Sequence, residues 1–167
     1  MSSITQPLRE EHKELLPHIE SLRETADAVG SLPYSQLRAR LEAAHSFLVH
    51  HLIPHATAED NALYPAVAAL MKAPRSTATM SRDHVEVGRL THALATILSN
   101  VTASAPADAD EKELRRILYG LHALIKVHFA KEEEIYLPLL DEHMGAEEAH
   151  AMFAAMENAA AQAKATT

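Results

Sequence analysis

Apolar residues recur along the chain at alternating intervals of three and four, and they do so in four long segments. The first carries Leu8, His12, Leu15, Ile19, Leu22 and Ala26, and the second Leu37, Leu41, Ala44, Leu48, Leu52, His55, Glu59 and Ala62. The third runs Met80, His84, Val87, Thr91, Leu94, Leu98, Val101, and the fourth Leu114, Leu118, Leu121, Ile125, His128, Glu132, Ile135, Leu139. Each is the stripe of a helix that buries one face. Turn-forming stretches, "VGSLPYS" near 29–35, "KAPRSTATMS" near 72–81 and "TASAPADAD" near 102–110, separate them. Period-two alternation and hairpin dipeptides are missing. The pattern therefore predicts an all-α chain: an antiparallel up-down-up-down four-helix bundle over about 5–142, with a short fifth helix over about 145–163. The length of 167 residues suits one domain, 1–167, with a single core.

The chain also repeats itself. "PHATAEDNALYPAV" from Pro54 matches "VHFAKEEEIYLPLL" from Val127 at an offset of 73, which places His55 on His128 and Glu59 on Glu132. "EEH" ending at His12 matches "RDH" ending at His84 at an offset of 72. Two helical hairpins facing each other across one core would give this repeat. In the paired "LYP" and "YLP", Tyr64 with Pro65 and, in helix four, Pro138 are read as marking bends, and Pro54 as kinking helix two at His55, with plain packing the alternative role for all three sites.

Composition narrows the chemistry. There is no cysteine, which excludes disulfides and thiolate metal sites and suits a reducing cytosol. The N-terminal stretch has no apolar run, so neither a signal peptide nor a membrane anchor is expected, and a cytoplasmic location is the expectation. With 15 Lys and Arg against 23 Asp and Glu, and no basic cluster, a nucleic-acid partner is not expected. The 12 histidines are the compositional anomaly.

Every apolar stripe is interrupted by histidine and two of them also by glutamate. Residues four apart share a helix face, so His55 with Glu59 and His128 with Glu132 point into the same core. Burying ionised carboxylates there costs several kcal/mol each, roughly, and no stripe lysine or arginine stands opposite them. A pair of cations removes the cost, with glutamates bridging and neutral imidazoles as terminal ligands. The candidate metal ligands are His12, His55, Glu59, His84, His128 and Glu132. His18, His45, His50, His92, His122, His143 and His150 lie off the stripes or near segment ends and are read as ordinary histidines.

At these residues the sequence resembles the hemerythrin-like family, also called the HHE cation-binding domain. The resemblance runs from Leu8 to Leu140 on the order His, His-x-x-x-Glu, His, His-x-x-x-Glu. It implies a four-helix bundle holding two iron ions joined by an oxo or hydroxo bridge, with the six residues above as ligands. It further implies a partner among small ligands: oxygen, nitric oxide or peroxide, in sensing or in catalase-like removal. Two positions depart from the oxygen carriers, which have a second histidine on helix three one turn from the first. Here Met80 and Gly88 flank His84. The carriers also use an aspartate five residues after the fourth-helix histidine, where this chain has a glutamate at four. Opposite Gly88 we expect water or hydroxide, with Tyr136 close by; Tyr136 and His51, each one turn from a ligand pair, are the two further ligand candidates. Other readings are a ferritin-like diiron carboxylate protein, from Glu42 with His45 and Glu147 with His150, and a metal-free helical interaction module.

Overall fold

The computed structural model describes residues 3–101 and 105–166; part of the third expected connection, 102–104, lies outside them. Five helices follow one another: α1 (Gln6–Ala28), α2 (34–70), α3 (Ala78–Asn100), α4 (108–143) and α5 (Ala146–Ala165). The first four form the expected antiparallel bundle, with α1 packed on α4 and α2, and α3 on α4 and α2. Both the bundle and the fifth helix fall within a few residues of the expected bounds. Among the described residues no helix is long and apolar enough to cross a membrane.

The stripes bury as two apolar clusters. One holds Leu15, Ile19, Leu22, Leu48, Leu94, Leu118 and Leu121 among others. The second, at the other end, holds Leu8, Leu63, Val67, Met80, Leu137 and Leu140, and α5 contributes Met152 and Met156 to it. Each such side chain adds about 1.5–3 kcal/mol on burial. The start of α1 is tied to the end of α4, where Asp141 accepts hydrogen bonds from Ser3 Oγ (2.7 Å), Thr5 N (3.0 Å) and Thr5 Oγ1 (3.0 Å). Of these only the Thr5 N bond satisfies a backbone N–H at the helix start, and the two hydroxyl bonds fix the lead-in of α1 against α4.

The three expected bends take another form. Helix α2 stays helical throughout but widens twice into π turns, Leu48–Leu52 and Glu59–Leu63, and α4 widens once, at Glu132–Tyr136. In each case the residue after the turn donates to a carbonyl five residues back: Ile53 to Leu48, Tyr64 to Glu59, Leu137 to Glu132. A proline comes next in all three, at 54, 65 and 138. Proline has no N–H for the carbonyl four residues back and its ring would strike that carbonyl; at these three positions the turn opens instead of breaking, whereas α1 runs through Pro17 without widening.

Candidate metal centre

Between the two apolar clusters lies a polar layer made of the six ligand candidates. His12 comes from α1, His55 and Glu59 from α2, His84 from α3, and His128 and Glu132 from α4. All are buried except His84, which is nearly so, and both glutamates are wholly inaccessible. Apolar neighbours wall the layer, with the His12 ring stacked on Phe129 at 4.1 Å between centroids.

The glutamates divide their oxygens. Glu59 Oε1 is 3.0 Å from His55 Nε2 and 3.6 Å from His12 Nε2, while its Oε2 is 3.3 Å from His84 Nε2 and 3.9 Å from His128 Nε2. Glu132 Oε2 is 3.4 Å from His12 Nε2 and its Oε1 is 3.3 Å from His128 Nε2. Two half-sites result, His12 with His55 and His84 with His128, spanned by both carboxylates. Donor atoms of His12, His55 and Glu59 come within metal-binding reach of one another, as do those of Glu59, His84 and His128.

The outer edge of each histidine faces a further carboxylate. His12 Nδ1 bonds Glu133 (2.8 Å), His84 Nδ1 bonds Asp60 (2.9 Å) and His128 Nδ1 bonds Asp83 (3.1 Å). His55 Nδ1 stands 3.1 Å from Glu11 Oε1, but out of line for a hydrogen bond. An acid at Nδ1 keeps the proton there and turns the Nε2 lone pair inward, the usual arrangement behind a metal-ligating imidazole. Arg9 pairs with Glu133 and Lys131 with Asp83, so the cations of the region reach these outer acids.

Electrostatics point the same way. Burial works against charge on His55, but Glu59 and Glu11 outweigh it and hold its pKa well above the ordinary value. His128 is treated likewise: burial is overcome by Glu132 and Glu59, and it is raised to about 10. Glu59 is held well below the usual range, because the histidines around it outweigh its burial. Six carboxylates gathered around four imidazoles demand positive charge. Cations can supply it as protons do.

The donor set passes a direct test of fit. Among the described residues, the buried side-chain atoms with no hydrogen-bond partner are His12 Nε2, both ring nitrogens of His55, both oxygens of Glu59, Glu132 Oε2 and, elsewhere, Ser76 Oγ. Six of these seven belong to the centre. In addition, His84 Nε2 and His128 Nε2 lie 2.9 Å apart, a separation at which two lone pairs repel unless a cation or proton lies between them. An unsatisfied buried polar atom costs about 1–3 kcal/mol, so such a cluster of nitrogens and oxygens suits hard-to-borderline divalent ions.

Tyr136 and His51 are not brought to the centre. The Tyr136 hydroxyl donates to the Ser76 carbonyl at 3.4 Å, and His51 is exposed, its ring facing Phe47 at 6.3 Å. The tyrosine beside the ligand candidates is Tyr64, expected only to mark a bend or to pack. Its hydroxyl donates to Glu132 Oε1 (2.6 Å) and lies 3.0 Å from His128 Nε2 and 3.4 Å from His84 Nε2. Burial, with Glu59 and Glu132 adding to it, pushes its pKa far up and keeps it a phenol. The π turn explains the exchange. With one extra residue in the turn, the position five after the glutamate, not four, returns beneath it.

Sequence reasoning also missed the four outer acids. The repeat held a signal: an acid precedes His12 and His84, and an acid follows Glu59 and Glu132. Gly88 is half-buried, and a Cβ there would meet nothing within 4 Å. The Glu-x-x-His pairs lie elsewhere, with Glu42 bound to Arg38 at 2.8 Å and Glu147 and His150 exposed on α5.

A four-helix bundle with histidines and glutamates converging between two apolar clusters is a cation-binding architecture. The chain belongs to the hemerythrin HHE cation-binding domain family, whose model matches residues 3–140. Membership implies metal binding, typically of iron, and the cluster fits that. No curated protein and no solved structure matches the chain.

Proposed function

We propose that the chain is a non-haem diiron protein that binds or reacts with a small ligand: oxygen, nitric oxide or hydrogen peroxide. The observation that carries this reading is the division of each glutamate between two histidine pairs. His12 and His55 would hold one iron and His84 and His128 the other, with Glu59 and Glu132 spanning both and an oxo or hydroxo bridge between the ions. When bound, the metal pair supplies electrons and an exchangeable coordination position. The chain supplies the rest. The outer acids fix the imidazole tautomers, the apolar clusters keep bulk water out, and Tyr64 holds a proton at Oη directed to Glu132 Oε1. Turnover of peroxide would be the enzymatic form of this reading, and sensing or storage the binding form.

The whole chain, 1–167, is taken as one domain acting in the cytoplasm, where a cysteine-free protein meets no redox constraint of its own. Metal analysis with an ultraviolet-visible spectrum of protein from iron-replete cells tests the reading. Two irons per chain and a near-ultraviolet band from the bridge are expected. Stoichiometric zinc without iron would remove the redox role, and no metal at all would leave a helical interaction module.

A further inference from the structure

Two cavities lie beside the centre, and the smaller is lined by a ligand candidate, His55. The larger, about 560 Å³, lies over Tyr64 and Asp60. The smaller, about 160 Å³, lies where α1 and α2 meet α5. Its walls are Leu8, Ala58, Phe153, Met156 and Ala160, and His55 and the carboxylates of Glu11 and Glu157 also line it. Helix α5 thus supplies one side of the pocket, although it falls outside the stretch 3–140 that the family shares.

His55 separates this pocket from Glu59, which stands 3.0 Å from the inner nitrogen of the ring. The side chain is only 2% exposed, yet neither ring nitrogen has a hydrogen-bond partner. Of the four ligating candidates it alone lacks an in-line bond at Nδ1, since Glu133, Asp60 and Asp83 each hold theirs. A volume of about 160 Å³ has room for roughly five molecules of water's size. Apolar walls favour an uncharged occupant, and two carboxylates repel an anion.

We propose that this pocket is the passage by which a small uncharged ligand, a diatomic gas or hydrogen peroxide, reaches the His12 and His55 half, and that α5 sets its width and its selectivity. The proposal rests on the diiron reading for the ligand's destination. The passage itself is a property of the protein alone.

The test uses the full-length chain with Ala160→Trp to fill the pocket, Phe153→Ala to widen it, Glu157→Lys to reverse a charge, and Ala68→Trp to fill the larger cavity instead. On iron-loaded protein, association of nitric oxide and of azide is followed by stopped flow. Ala160→Trp should slow nitric oxide about tenfold and Phe153→Ala should speed it, while Glu157→Lys leaves nitric oxide unchanged. The same charge reversal should raise the azide rate by roughly tenfold at low salt, with the gain lost at high salt. On metal-free protein, dilute hydrogen peroxide should oxidise Met156, which lines the pocket, ahead of Met80, which is fully buried in the core. Ala160→Trp should slow the Met156 reaction specifically, read by peptide mass spectrometry. If Ala160→Trp and Phe153→Ala leave all these rates at the wild-type value, or Ala68→Trp alone slows nitric oxide, the proposal is overturned. Wild-type protein without iron would sink the diiron reading, and the Met156 rates would still decide the passage.

Discussion

The two halves of the centre follow one plan, and one buried hydroxyl is the difference that bears on their chemistry. In the first, Glu11 from α1 faces His55 on α2; in the second, Asp83 from α3 faces His128 on α4. Asp60 bonds His84 as Glu133 bonds His12. Each outer acid is the chain neighbour of one ligand candidate and the partner of a histidine on another helix, so the four helices are cross-braced twice over. Both glutamates open a π turn. Five residues on, however, one copy has Tyr64 and the other Leu137, at the repeat's offset of 73. A hydroxyl enters the His84 and His128 half, while Leu137 is fully buried among apolar neighbours. The repeat fixes where cations can sit, and one side chain makes the halves chemically unequal.

Removing what the halves share should have the largest effect. Glu59→Ala takes an oxygen from each half and leaves the surrounding histidines uncompensated, so both ions and much of the thermal stability should go together. Plasma emission analysis and calorimetry on the same sample check this. Retention of one full equivalent would show that the halves are independent.

Removing what distinguishes them comes next. Tyr64→Phe deletes a hydrogen bond to a buried carboxylate and should cost the metal-free protein about 1.5–3 kcal/mol in urea unfolding. Leu137→Phe, which changes the matching position without adding a hydroxyl, should leave the spectrum of the loaded protein unchanged where Tyr64→Phe alters it. Equal spectral changes in the two would abolish the asymmetry.

The outer acids should matter less. Asp83→Asn weakens an in-line bond to His128 and should lower metal affinity about 10–100-fold in chelator competition. Glu11→Gln, whose carboxylate is out of line with His55, should lower it less. The reverse order would contradict the geometry of the two links.

The smallest effect lies outside both halves, where Glu20 on α1 meets Lys126 (2.8 Å) and His122 (3.2 Å) on α4. Lys126 foremost, with His122, holds this carboxyl down to about 2 from 4.5. Its folded value is depressed, so its contribution is present above about 4.5 and is lost as pH falls toward about 2. The stability difference between wild type and Glu20→Gln should therefore shrink across that window in the metal-free protein. High salt should shrink it as well.

Much of this was legible in the sequence because it follows helical spacing. Stripes of period three and four gave the bundle, and His55 with Glu59, four apart, needed only that period to be placed on one face. Tyr136 and Tyr64 were not legible for the same reason. Counting by four puts Tyr136 under Glu132, whereas the wide turn before Pro138 puts Leu137 there and leaves Tyr136 on the Ser76 carbonyl. Spacing within a helix is a reliable guide until a proline forces the turn open. The outer acids needed pairing between helices, which no single stripe reveals.

In the language of crystals, each π turn is a dislocation: one surplus residue lodged in an otherwise regular lattice of hydrogen bonds. Such a defect can glide along a helix and escape at its end when every rung can re-form. Proline pins it, because the rung at 65 or 138 has no donor and cannot be remade. Pro65→Ala would unpin the defect beside Glu59, and as it glided away Tyr64 would rotate off Glu132. The position of one phenol in the centre is thus held by the exposed proline that follows it in the chain.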